Sequence, residues 1–443
     1  MTTRRLITAI CLFTLCFTIL CGGIGDREPI RDRDPVRGDK HPETAKNGFE
    51  KLLLPSIQIE ASAANGAYEN LFPNSGFSPE PVRDPLQNPP VVRGIYATGW
   101  SAGSSKKMPQ IFNILDTTYL NAVVIDVKDD EGTVSYESKV PMAVEIASSR
   151  KKIPNIDALM AKLKEKEIYP IARIVVFKDP YLAVKKPELA VKSRKGGLWR
   201  DKSGLAWVDP HSKTVWQYVV DVAKEAASKG FKEIQFDYVR FLSDGDLSDC
   251  IYPHANARKR HEVIRDYLHF AYAQLKPYGV VVSADIFGLV LSVPDDLGIG
   301  QQLEDIAQEV DLICPMVYPS HYYRGTFGIQ NPNAKPYTVI LRSLSDAQAR
   351  ILGMKAKIRP WLQDFTLGTP PYGREQLAEQ IRAVREAGIG EWLWWNPSNQ
   401  YSYEKHNFTG AEIFFPAEQR QNGQSPPVQP GEPQPQSQEA EPQ

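Results

Sequence analysis

The chain has 443 residues, of which 42% are hydrophobic, 24% charged and 10% aromatic, a balance that excludes a wholly disordered, fibrous or multi-spanning protein. Fifty-two Lys and Arg stand against 53 Asp and Glu, and the resulting net charge of −1 gives no global pull toward nucleic acid or an acidic membrane. Of five cysteines, Cys11, Cys16 and Cys21 lie in an N-terminal apolar run, leaving Cys250 and Cys314 for the body. Neither belongs to a CxxC pair, so a disulfide framework, a zinc ribbon and a thioredoxin-like site are excluded.

Arg4 and Arg5 precede an apolar stretch from Leu6 to Cys21, followed by Gly22 and Gly23. A basic start, a short apolar centre and a small-residue exit predict a secretory signal over residues 1–25, with an uncleaved anchor as the alternative. The run falls short of the roughly 20 apolar residues that a membrane-spanning helix needs. Lipid attachment at Cys21 sits poorly with the bulky Leu20 before it. The protein is therefore expected outside the cytoplasm, as a secreted, periplasmic or envelope-associated species, with the N-terminus as a potential membrane tether. Residues 26–90 carry ten prolines and alternating charges such as Arg31-Asp32-Arg33-Asp34, which predicts a mostly disordered linker. Residues 416–443 hold seven prolines among Gln and Glu, an extended tail.

Between them, apolar β-rich runs occur at Arg93–Trp100, Ala122–Lys128, Tyr169–Phe177, Glu233–Phe241, Val280–Leu289, Asp311–Pro319, Lys357–Phe365 and Glu391–Asn396. Helical spacing separates several of them: Ile156, Leu159, Met160 and Leu163; Val215, Val219, Val222 and Ala226; Leu303, Ile306, Ala307 and Val310; Leu377, Ile381 and Val384. Gly230, Gly279 and Gly388 stand where left-handed C-caps belong. Alternating strand and helix imply a parallel sheet with right-handed crossovers, and eight such units close into a (β/α)8 TIM barrel over residues 91–415. An open doubly wound sheet is the rival. No strand is followed by GxGxxG or GxxxxGK[ST], so no nucleotide cofactor is called for.

Side chains alternate faces along a strand, so each run divides into helix-facing and interior sets. That division places Tyr96 and Thr98, Asp126 and Lys128, Arg173, Gln235 and Asp237 inside. Ser283 and Asp285, Met316 and Tyr318, Trp361 and Gln363, and Trp394 and Asn396 follow on the later strands. An ordinary barrel core is Val, Ile and Leu. Carboxylate, amide and aromatic groups at the C-terminal ends cost stability unless paired or solvated, so they mark a cleft.

Asp237 and Asp285 occupy equivalent late positions on adjacent strands, about 4.8 Å apart at the ladder. One ionised and one protonated carboxyl at that range are the apparatus of glycoside hydrolysis. Trp100, Tyr318, Tyr322, Tyr323, Trp361, Trp394 and Trp395 fall at or beyond strand ends, where flat faces for sugars belong. Arg240, three residues after Asp237, could hold it ionised. The structural readings stand beside these: Asp237 as partner of Arg240 or Lys128, Asp285 as a buried support, Asp126 as partner of Lys128 or Arg173. Asp129, Asp130 and Asp364 could be substrate contacts or turn residues. Trp199 and Trp207 flank Asp201-Lys202-Ser203-Gly204, a hairpin turn. His254, His261 and His269 lack ligand spacing, and no metal is indicated.

The runs RGIYATGW (Arg93–Trp100), AVVIDVKDDEG (Ala122–Gly132), IQFDYVRF (Ile234–Phe241), SADIFG (Ser283–Gly288) and ICPMVYPSHY (Ile313–Tyr322) together resemble a bacterial glycosyl hydrolase domain family of unknown function. That family is distantly similar to α-amylase and α-galactosidase barrels. The resemblance spans Arg93 to Tyr401 and implies a (β/α)8 barrel with a carbohydrate-active role. In related retaining α-glycosidases the nucleophile is an aspartate ending the fourth strand, which Asp237 matches. The arginine common two residues before it is replaced here by Gln235. The sixth strand offers Tyr318 and His321 but no carboxylate, which leaves Asp285 as acid/base.

The expectation is an exported glycoside hydrolase with Asp237 and Asp285 catalytic, acting on an oligo- or polysaccharide. Asp126, Lys128 and Arg240 would tune their charge. Tyr318, His321, Trp361, Asp364, Trp394, Trp395 and Asn396 would contact the sugar. The rival is a non-catalytic barrel that binds envelope glycan as an adaptor. Eight basic residues against three acidic from Lys178 to Lys202 further raise an anion-binding loop beside the mouth, against a merely solvated hairpin.

Overall fold

The β-branched and aromatic runs become the eight strands of a closed parallel barrel. The computed structural model describes residues 75–81 and 89–413. The expected signal segment and C-terminal tail, and most of the expected linker, lie outside the described residues. The strands are β1 (Arg93–Ala97), β2 (Ala122–Lys128), β3 (Tyr169–Val175), β4 (Glu233–Asp237), β5 (Val281–Phe287) and β6 (Leu312–Met316). Strand β7 comes in two pieces, Lys357–Ile358 and Trp361–Gln363, and β8 is Trp392–Trp395. Each pairs in parallel with the next, and β8 returns to β1 in the register Arg93↔Trp392 to close the ring. Pro360 cannot donate to a ladder, which accounts for the break in β7.

Every expected strand run contains a barrel strand, but several end sooner than expected. At β4 the cause is visible: Tyr238 has φ +50° and turns the chain out of the sheet immediately after Asp237. A non-glycine residue in the left-handed region is strained, and here it brings the carboxylate to the very end of its strand.

Seven helices fill the crossovers: α1 (Lys107–Thr117), α2 (Ile156–Glu165), α3 (Lys213–Ser228), α4 (Arg260–Leu275), α5 (Leu303–Glu309), α6 (Pro336–Arg350) and α7 (Arg374–Glu386). Asn155 caps α2 by accepting from the Ala158 amide at 2.9 Å. The apolar faces expected for α2, α3, α5 and α7 are buried against the outside of the barrel, where each aliphatic side chain contributes about 1.5–3 kcal/mol. Gly279 (φ +64°) and Gly388 (φ +77°) hold left-handed turns after α4 and α7, as expected from sequence. No described helix is long and apolar enough to cross a membrane.

Inside the barrel a second, smaller cluster joins Ala122, Val124, Ile171, Leu312, Cys314 and Leu393. At its N-terminal end lies an ion pair that is nowhere near the mouth. Arg359 donates to both carboxylate oxygens of Glu233, at 3.0 and 2.9 Å, and to Glu391 at 3.0 Å. Ser283 adds a hydrogen bond to Glu233 at 2.6 Å. Both members of the Glu233–Arg359 pair are buried, so removing one leaves the other charge poorly compensated. Glu233→Ala is expected to lower unfolding free energy by about 3–5 kcal/mol in urea titrations. A loss below about 1 kcal/mol would show that Glu391 and water suffice for Arg359.

Candidate active site

The C-terminal end of the barrel opens into a cavity of about 450 Å³. Its charged end is organised by Arg173, which β3 projects into the barrel among otherwise apolar neighbours. Nε and Nη2 of Arg173 both donate to Asp237 Oδ2, at 2.9 and 2.5 Å. Nη1 donates to Asp126 Oδ1 at 2.6 Å. The other Asp126 oxygen accepts from the Tyr96 hydroxyl at 2.5 Å, and Tyr96 stacks on Trp395 with centroids 4.0 Å apart. Asp237 Oδ1 accepts from the Tyr238 amide at 2.6 Å. One cation thus braces carboxylates on two strands, β2 and β4.

Asp285 stands in a different environment. Strand β5 pairs with β4 in the register Phe236↔Ala284, so Asp237 and Asp285 follow side by side. Asp285 is buried and accepts from the Trp361 indole N–H at 2.7 Å. Burial, and then the Asp237 charge, push its carboxyl well above the usual range, while Arg173 and the Trp361 bond oppose them. Asp126 is raised to about 6, chiefly by burial and against the pull of Arg173. Burial lowers His321 to about 4, so it is neutral at pH 7. Asp126, Asp237 and Asp285 share this end of the cavity with the Arg173 guanidinium, and their mutual repulsion favours the protonated form of Asp285.

Of the residues singled out from sequence, Asp237, Asp285, Asp126, Arg240, Tyr318, His321, Trp361 and Trp395 line this one cavity. Arg240 takes a different role from that expected. The guanidinium braced on Asp237 is that of Arg173, whereas Arg240 donates to the Phe241 carbonyl and Ser243 and lies over the rings of Trp207, Tyr238 and Phe287.

Four expected contacts fall outside the cavity. Lys128 does not face it, because the β2–β3 register shifts between Asp126 and Lys128 and breaks the alternation. Its ammonium pairs with Asp179 at 2.8 Å and lies near the Tyr218 ring of α3. Trp394 faces the helices. It is level with Ile95, an outward residue of β1, and neighbours in register share a face, so Leu393 and Trp395 take the interior. In a run of Trp-Leu-Trp-Trp no polar residue marks the parity. Asp364 is fully buried against Lys405 and His406, and Asn396 closes its own turn onto Ser398 and Gln400. Both border a neighbouring hollow instead.

Sequence reasoning gave no part to Lys152, whose ammonium reaches the mouth from the loop before α2 and bonds Asp129 and Glu131. Nothing in its local pattern signals that. The basic stretch from Lys178 to Lys202 does not line the cavity. Lys178 pairs with Asp130 at 2.9 Å, Lys186 with Glu145 and Lys195 with Asp246 at 3.3 Å. Arg200 and Ala206 bridge across the expected hairpin turn. Among the described residues, no group of three His, Cys, Asp or Glu side chains is arranged to hold a metal ion.

Residues 94–401 match the family described as "putative glycosyl hydrolase domain". Among solved structures, a hypothetical protein from Ruminiclostridium thermocellum is 41% identical over 46% of this chain and 98% of its own, with a TM-score of 0.41. The PgaB (BpsB) glycoside hydrolase domain from Bordetella bronchiseptica is 14% identical over 72% of this chain and 100% of its own, with a TM-score of 0.53, a likeness of fold. An α-galactosidase from Thermus thermophilus is 12% identical over 72% of this chain and 61% of its own, at a TM-score of 0.43. No curated protein matches the chain.

The environment of Asp285 makes a prediction independent of any substrate. In a carbon-13 NMR titration its carboxyl should protonate above the ordinary aspartate range. Asp237→Asn removes the neighbouring charge and should move the midpoint down; Trp361→Phe removes a donor to the anion and should move it up. A midpoint indifferent to Asp237→Asn would separate the two carboxyls electrostatically.

Proposed function

The chain belongs to this glycosyl hydrolase domain family, and from that premise we propose that it hydrolyses an extracytoplasmic glycan with Asp237 as nucleophile and Asp285 as general acid and base. The observation that carries the reading is the contrast between two neighbouring carboxyls. Asp237 is the carboxylate of a two-point ion pair with Arg173, while Asp285 is dry and favours its proton. Environments that drive two carboxyls apart in this way define acid and nucleophile roles. Adjacent strands lie about 4.8 Å apart, near the roughly 5–5.5 Å separation that double displacement uses.

In the first step Asp237 attacks the anomeric carbon as its bond to the leaving oxygen breaks, and Asp285 protonates that oxygen. In the second, Asp285 takes a proton from water, whose oxygen displaces Asp237 from the anomeric carbon. Arg173 aims Asp237 throughout, braced from behind by Asp126. Tyr318 and the half-buried Trp395 offer rings to the sugar's C–H faces, while the buried Trp361 holds Asp285. Export is supported by Arg4, Arg5 and the apolar run to Cys21. A glycan-binding adaptor would need aromatics and amides, but not a carboxyl that favours its proton beside a clamped one.

A reducing-sugar screen on bacterial envelope glycans, run beside a panel of aryl glycosides, tests the activity. Asp237→Asn should lower kcat by about a thousandfold or more, roughly 4 kcal/mol of transition-state stabilisation, with little change in Tm because Arg173 keeps Asp126. Wild-type turnover in that variant would sink the assignment. Asp285→Ala should slow substrates with basic leaving groups far more than activated aryl glycosides, since only the former need a proton at departure. Equal losses on both would make Asp285 structural.

A further inference from the structure

Seven of the eight tryptophans are buried or half-buried, whereas Trp100 is 63% exposed. It stands on the short helix Gly99–Ala102 that directly follows β1. That helix is firmly seated. The Thr98 hydroxyl accepts from the Ser101 amide at 3.1 Å, and Gly99 approaches Ser135 so closely that a Cβ there would overlap it. The Lys152 ammonium lies 5.7 Å from the centre of the Trp100 ring, and Asp129 and Glu131 hold the ammonium in turn. A large ring is thus fixed in position while kept in water.

Tyr323 is its counterpart. It is 41% exposed and follows the turn Pro319–His321 after β6. Both residues line the cavity. In the closed ring of eight, β6 and β1 lie three strands apart, so the two side chains come from separate, non-adjacent loops of the mouth. Asp237 and Asp285 are buried in the wall of the same cavity, on strands β4 and β5 of the arc that runs from β1 to β6.

We propose that Trp100 and Tyr323 are outer sugar platforms on the two sides of the scissile bond, for a polysaccharide chain that lies across the mouth and is cut internally. A terminal sugar entering the cavity alone would meet Trp395 and Tyr318 and leave the rim rings in water. Further sugar units on either side are what would cover them, stacking C–H faces on the rings. A ring already held in place gives up little freedom on binding, which favours affinity. The binding part of this inference stands by itself; the internal cut rests on the hydrolase reading above.

The test uses the full chain carrying Asp237→Asn to prevent turnover, titrated with gluco-, galacto-, manno- and N-acetylglucosamine-configured oligosaccharides of two to six units. Hexamers of at least one configuration should bind about tenfold tighter than their dimers. Adding Trp100→Ala or Tyr323→Ala should erase most of that length dependence and leave dimer binding unchanged; both sites are exposed, and circular dichroism checks the fold. Equal affinity for dimer and hexamer, or no hexamer bound, overturns the platforms. With the wild-type enzyme and the best-bound polymer, mid-length products should appear first; single sugars released from the outset overturn internal cutting. Hexamers bound through Trp100 but never cut would leave the platforms standing and remove the hydrolase reading.

Discussion

The site depends on one buried guanidinium. Arg173 divides its donors between Asp237 and Asp126, and its guanidinium carbon lies 5.7 and 5.4 Å from the ring centres of Tyr96 and Trp395. A planar fork with donors on three nitrogens can brace two carboxylates on separate strands at once, which an ammonium could not do in the same geometry. Its donors satisfy oxygens of both Asp126 and Asp237 in a nearly dry barrel end. Its orientation fixes where the Asp237 oxygens point. Without it, Asp126, Asp237 and Asp285 would have no cation braced between them.

That arrangement also sets where the proton goes. A single cation compensates part of the charge of three acids, and the low-dielectric surroundings make further ionisation costly. The group with the fewest donors to its oxygens retains its proton most readily. Asp237 accepts from Arg173 and Tyr238, and Asp126 accepts from Arg173 and Tyr96, whereas the indole of Trp361 is the donor shown on Asp285. The neighbouring carboxyls are therefore distinguished by their hydrogen-bond donors, not by residue type.

The barrel separates this chemistry from its own stability. The Glu233–Arg359 pair braces the N-terminal end, and apolar side chains such as Ile171, Cys314 and Leu393 share the barrel interior with it. Two polar clusters at opposite ends of one interior are a departure from an all-aliphatic core. Each is satisfied by its own partners. The loops after the strands then add what the interior lacks, in particular exposed rings and charged side chains at the rim.

The residues alone determined the barrel, because alternating periods of two and 3.6 over eight units leave few topologies open. They also placed Asp126, Arg173, Asp237 and Asp285 inside, because each is a polar residue in an apolar strand and so marks its parity. Tertiary structure decided the rest. The bulge that turns Lys128 toward Asp179 and the register that turns Trp394 away from the cavity are properties of paired strands, invisible in either strand by itself. The choice of Arg173 as the partner of Asp237, across 64 residues, likewise follows from which strands become neighbours. So does the meeting of Lys152 with Trp100 at the rim, since loop contacts depend on three-dimensional closure while periodicity records only which face of an element is buried.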